Sequence, residues 1–173
     1  MDTPELDGVA KHTLTLPNSV YQALKASAAK QGLEPYEVIQ DLVIDHVIRA
    51  GTLDKKIQAQ IEAYKRAVMR AVEVAKQRLR DGAAVETLTP DTFLECAQDP
   101  KWVADYRAYI QDDLYKNGNP RKGPINREIG YRIRAATGAE VMKDPNGKAV
   151  LRKVLGNVIQ SYTPFISFDA SKL

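Results

Sequence analysis

Residues 11–16, Lys-His-Thr-Leu-Thr-Leu, alternate with the two-residue period of a strand. His12, Leu14 and Leu16 fall on one face, and Lys11, Thr13 and Thr15 on the other. Pro17 ends the alternation, and Asn18 or Ser19 can cap a helix running to about Gln31. Val20, Leu24, Ser27 and Ala28 follow helical spacing, and Gly32 is the expected left-handed stop. Glu34-Pro35 opens a second helix, with proline where its missing N–H costs nothing. Val38, Ile39, Leu42, Val43, His46 and Val47 give that helix a wide apolar stripe, and Gly51 terminates it.

A long helix is expected from Asp54 to about Asp81. Ile57, Ile61, Tyr64, Val68, Ala71 and Ala75 recur at steps of four and three. That seam fits either one face of an intramolecular bundle or a dimeric coiled coil. Residues 82–90 read as a loop, with short helices to follow over about 91–98 and 101–115. The break at 117–124 precedes two basic helices, about 125–137 and 147–162, separated by Asp144-Pro145-Asn146-Gly147. The tail from Thr163, with Phe165, Ile166 and Phe168, is either a closing strand or a docked arm. The expected fold is mainly α: a disordered arm over 1–8, a strand-helix-helix module over 9–52, and a helical domain over 53–173.

A lone six-residue strand leaves its backbone groups unpaired, and two short helices bury little surface. Pairing two copies meets both needs, because the strands form an antiparallel ribbon and four helices share a core. The order and spacing of these elements over 11–51 resemble the ribbon-helix-helix superfamily, which includes the Arc and MetJ repressors. The resemblance covers about a quarter of the chain. It implies a homodimer, or paired dimers, that inserts the ribbon into the major groove of double-stranded DNA. Lys11, Thr13 and Thr15 would then read base edges. It also implies a DNA phosphate held at the N-terminus of the second helix, around Glu34, Tyr36 and Glu37. Pro35 and the two carboxylates depart from that pattern, since they compete with phosphate for the positive helix end.

Net charge is only +3, but its distribution is uneven. Residues 1–53 carry seven acids against four bases, and residues 54–81 four against eight. Residues 82–115 carry seven acids against two bases, and residues 116–153 three against ten. Blocks of this kind are either a polyanion footprint or a solvated face. In the last basic block Arg127, Tyr131 and Arg134 share one helical face. Arg121, Lys122, Arg132, Lys148, Arg152 and Lys153 are further candidate DNA contacts.

Other chemistry is sparse. Cys96 is the single cysteine, so no intramolecular disulfide forms, which fits a reducing cytoplasm. It reads as a small buried hydrophobe, and His12 and His46 as core or dimer-interface residues. The acidic start and the absence of a long apolar run predict neither a signal peptide nor a membrane span. Asp112, Asp113 and Glu128 match no metal-binding spacing, and no phosphate loop, nucleophile elbow or cofactor motif is present. The expectation is a cytoplasmic, non-enzymatic, cofactor-free transcriptional regulator. An accessory protein for plasmid or phage partition, transfer or recombination is one alternative. An antitoxin-like module that binds a protein partner through the C-terminal region is another.

Overall fold

The computed structural model describes residues 13–31 and 33–173. The chain divides into two compact units, the first reaching Ile61 and the second comprising Glu62–Leu173. The described residues are mainly helical, with two small antiparallel sheets near the C-terminus. None of the helices is long and apolar enough to cross a membrane.

In the first unit, residues 13–17 are irregular and lead into α1 (Asn18–Gln31). Lys11 and His12 of the expected strand, the arm over 1–8, and Gly32 lie outside the described residues. The Leu33 amide donates to the Ala28 carbonyl at 2.9 Å, tying the end of α1. α2 (Pro35–Arg49) starts on its proline and stops where Gly51 takes φ +68°. α1 packs against α2, yet among their described residues only Ala28 and Glu37 are buried.

Asp54 caps α3 (Lys55–Arg80) by accepting from the Lys56 amide at 2.8 Å. The unit boundary falls inside α3 rather than at residue 52, because this helix carries the chain onward without a break. In the second unit α3 buries Ala63, Ala67, Ala71 and Ala75, a stripe at steps of four, flanked by Val68, Val74 and Leu79. The small side chains let neighbouring elements approach its backbone. Trp102 uses this, donating its indole N–H to the Ala67 carbonyl at 2.9 Å. Within this unit the seam is therefore one face of an intramolecular core.

The expected loop at 82–90 is shorter than predicted. A 3-10 turn (Val85–Thr87) runs directly into α4 (Leu88–Cys96), which packs Leu88 and Phe93 inward. Asp99 caps α5 (Pro100–Ile110) through the Lys101 amide at 2.9 Å. α5 ends five residues before the expected Tyr115, since Gln111 turns left-handed at φ 55°. The carboxylates of Asp112 and Asp113 then take nearby amides, which competes with helix continuation. Phe93, Trp102 and Tyr106 form an aromatic row, with centroids 6.1 Å apart for the first pair and 4.7 Å for the second.

α6 (Lys122–Thr137) begins slightly earlier than predicted; Pro124 sits in its first turn, where no amide is needed. Ile125, Ile129, Ile133 and Thr137 form its fully buried face. Gly138, at φ +61°, closes it, and the Ala139 amide returns to the Arg134 carbonyl at 3.0 Å.

The helix expected over 147–162 is not formed. Residues 140–167 make turns and short strands instead: β1 (Glu140–Val141), β2 (Arg152–Lys153), β3 (Ser161–Tyr162) and β4 (Phe165–Ser167). β1 pairs with β4, and β2 with β3, both antiparallel. Gly147 and Gly156 take positive φ and close the two reversals. Asp144 secures the first by accepting from the Lys148 amide at 2.9 Å. The C-terminal unit is thus a helical core with a β-hairpin appendage, and the tail is a closing strand that buries Phe165.

Candidate nucleic-acid interface

The two basic blocks have different fates. Three arginines of α3 are engaged within the second unit. Arg66 pairs with Asp105 at 2.7 Å, Arg70 with Asp99 at 3.2 Å, and Arg78 with Asp91 and Glu95. These acids belong to the acidic stretch 82–115, so much of the alternation in charge is internal wiring.

The block over 116–153 is only partly committed. Arg121 donates to the Tyr109 carbonyl at 3.2 Å. Lys122 is buried, and its ammonium donates to the Leu114 and Lys116 carbonyls at 2.7 and 3.0 Å. Burial lowers its pKa, with Asp113 and Asp112 opposing that shift. Arg132 pairs with Glu128 at 2.6 Å, and Arg152 with Glu86. Each of these four thus has a protein partner in the structure, although Arg152 stays exposed beside its own. Lys148 and Lys153 are exposed on the hairpins. Arg127 and Arg134 are exposed and have no ion-pair partner among the described residues.

Those two arginines share a groove of about 650 Å³ in the second unit. Gly123, Asn126, Arg127, Gly130, Tyr131 and Arg134 form one wall, on the face of α6 opposite its isoleucines. The facing wall is the 158–163 segment, and the 116–119 loop closes one end. Gln160 ties these together by donating to the Asn117 side-chain carbonyl at 2.8 Å. A Cβ added at Gly123 or Gly130 would meet nothing within 4 Å, so both glycines widen the groove rather than serving a close contact. Asn126 accepts from the Tyr106 hydroxyl at 2.7 Å. Burial raises the Tyr106 pKa, keeping that hydroxyl protonated as the donor. The Asn126 amide NH2 thereby remains available at the groove. No acidic side chain occurs among the described residues lining it.

Sequence reasoning placed Arg127, Tyr131 and Arg134 on one face but missed the facing wall, having assigned 147–162 to a helix. It also missed a local signal: each uncommitted arginine follows a glycine by four positions, Gly123 before Arg127 and Gly130 before Arg134. Helical side chains lean toward the preceding turn, so a glycine there leaves room beside each guanidinium.

At the N-terminal unit, Thr13 and Thr15 are exposed. Glu37 is buried, and its carboxylate accepts from the Glu34 amide at 2.7 Å, one half of a capping box. Pro35 lacks an N–H and the Glu34 amide is taken by Glu37, so these two positions offer no free backbone donor at the start of α2. Tyr36 is exposed beside it. His46, expected in a core or dimer interface, is exposed in the single chain.

Cys96 is buried, and its thiol is pushed up to about 12, chiefly by burial, so it is not a nucleophile. No cluster of His, Cys, Asp or Glu able to hold a metal ion occurs among the described residues. Asp112 is held by the Asp113 amide, Lys116 and Asn119, and Glu128 by Arg132. Comparison with family models, curated proteins and solved structures finds no match in any of the three.

Proposed function

We propose that this protein is a homodimeric, sequence-specific DNA-binding protein that reads duplex DNA through its N-terminal segment and regulates transcription. The observation that carries this reading is the uncovered apolar face of the first unit. Leu42 and Val43 are each 56 % exposed, and Leu14, Val20 and Tyr36 are exposed with them. A helix pair that buries so little cannot be stable alone; a second copy covers the stripe and supplies a partner for the backbone at 13–17, which is irregular in the single chain. Thr13 and Thr15 then lie on the outer face of a two-stranded ribbon with Lys11. The Glu34–Glu37 capping box competes with phosphate at the N-terminus of α2. Arg127, Arg134, Lys148 and Lys153 are exposed candidates for further contacts to DNA.

The test is selection of bound duplexes from a random-sequence pool by the full chain. A repeated half-site is expected, and Thr13→Ala with Thr15→Ala should abolish the enrichment while sedimentation still finds a dimer. Leu42→Glu should yield monomers. A dimer that survives Leu42→Glu, or sequence preference that survives the threonine changes, overturns the reading.

A further inference from the structure

We infer that the groove between α6 and the 158–163 segment is a binding site for unpaired DNA, taking phosphates on Arg127 and Arg134 and a base against Tyr131. This inference rests on the nucleic-acid reading of the C-terminal cations and not on the N-terminal ribbon.

Charge defines the ligand as an anion. The described lining carries Lys116, Lys122, Arg127 and Arg134 and no carboxylate. Lys116 is paired with Asp112 and Lys122 with backbone carbonyls, so the charge open to a ligand is that of the two arginines. They stand seven residues apart on one helix, about 10 Å along its axis. That separation suits successive phosphates of a chain better than one small anion. Tyr131 lies between them on the same face, and Tyr162 lines the facing wall. Cations alternating with an aromatic along a groove are how proteins hold single strands, since every base offers a stacking face. The Asn126 amide, held by Tyr106, adds a hydrogen-bond donor at the same wall.

Shape excludes a duplex. A volume of about 650 Å³ lies in the range of small-ligand sites and holds one or two nucleotides. The Gln160–Asn117 bond ties the 158–163 segment to the 116–119 loop at the edge of this small groove. Gly123 and Gly130 keep that wall open, and Gly130, in the helix interior, does so at a cost to helix stability. A mid-helix glycine is worse than alanine by roughly 1 kcal/mol, and here nothing packs against the missing methyl. Gly130→Ala therefore separates groove function from stability, because it should strengthen the helix while narrowing the site.

The experiment is fluorescence anisotropy of the full chain with a labelled oligothymidylate twelve-mer. The wild-type chain should bind it, and Arg127→Ala with Arg134→Ala should weaken binding roughly tenfold or more. The slope of log affinity against log salt should fall by about 1.4, or 0.7 per lost phosphate. Gly130→Ala should weaken binding severalfold with no loss of Tm. Failure of duplex selection alongside retained oligomer binding would sink the ribbon reading alone. Unchanged binding in the double arginine variant overturns the groove. So does an arginine effect that Gly130→Ala does not share, since the strand would then lie outside it. Displacement by thymidine monophosphate at concentrations comparable to the oligomer assigns the site to a free nucleotide and overturns the single-strand inference.

Discussion

Gly138→Ala tests whether the C-terminal closing segment is fixed by the geometry at the end of α6. Gly138 holds φ +61°, a conformation that costs an alanine about 1 kcal/mol or more. A Cβ there would lie 2.7 Å from the Asp169 Cβ and 3.2 Å from Lys172 Cδ. The lysine can swing away. Asp169 cannot, because its amide donates to the Thr137 carbonyl at 2.9 Å and its carboxylate caps Ser171. Relieving the overlap must move the segment that follows β4, and overpacking of this kind costs about 1–3 kcal/mol. The sum is about 3 kcal/mol, or a Tm fall of about 12 °C at roughly 4 °C per kcal/mol for a unit of this size. Trp102 is the sole tryptophan and is buried in the same unit, so its fluorescence during thermal or urea unfolding reports this unit directly. Gly130→Ala is the paired control and should raise stability instead. A loss below about 1 kcal/mol would mean that Asp169 and the tail yield freely, refuting the close approach.

Two further outcomes follow from single hydrogen-bonded groups. Lys122→Met keeps the stem but strips the donor from the Leu114 and Lys116 carbonyls, and should cost about 2 kcal/mol by Trp102-monitored urea unfolding. A neutral result would reassign Lys122 from loop anchor to surface cation. The Asp99 carboxyl is held below the usual carboxylate range, first by the Lys101 amide and then by Arg70. Its folded pKa is depressed, so its contribution is present above the unfolded value and lost as pH falls through the folded one. Asp99→Asn should therefore flatten the acid limb of the urea midpoint between about pH 5 and 2. An acid limb as steep as that of the wild-type chain would show that Asp99 is not among the groups responsible.

Helices with a clear start signal were legible in the sequence. Asn18, Pro35 and Asp54 each mark an observed N-terminus, and Gly51 takes positive φ at a helix end. The failure at 147–162 has a specific cause. Val150, Leu151, Val154, Leu155 and Val158 recur at steps of three, four and one, which mimics a helical stripe. In the structure Leu151 and Leu155 are exposed, Leu155 at 95 %, while Val158 and Ile159 are buried. The discriminating residue is Gly156, whose positive φ closes a hairpin where a helix interior would have penalised it. Without that hairpin one wall of the groove is invisible, which is why the site read as a basic helix face. The α3 seam was read through Val68, Ala71 and Ala75; the buried stripe also takes Ala63 and Ala67, and the smallness of these alanines lets Trp102 reach the Ala67 carbonyl.

Charge counts misled for a related reason. Residues 54–81 and 116–153 look alike as basic blocks, yet three arginines of the first are paired with acids of α4 and α5 or the residues flanking them. Whether an arginine is open to a ligand depends on what stands one helical turn away. Arg132 has Glu128 four residues before it and pairs with that carboxylate. Arg127 and Arg134 have Gly123 and Gly130 in the same position, which offer neither a charge nor bulk. One helix thus neutralises the arginine between its two glycine-backed neighbours and leaves those two uncommitted. A helix under selection for stability alone would place alanine at Gly130, where nothing opposes a methyl. Arg132→Ala should accordingly leave the salt slope of oligomer binding near the wild-type value, whereas losing Arg127 and Arg134 lowers it; equal effects from all three would mean that the helix acts only as a diffuse positive surface.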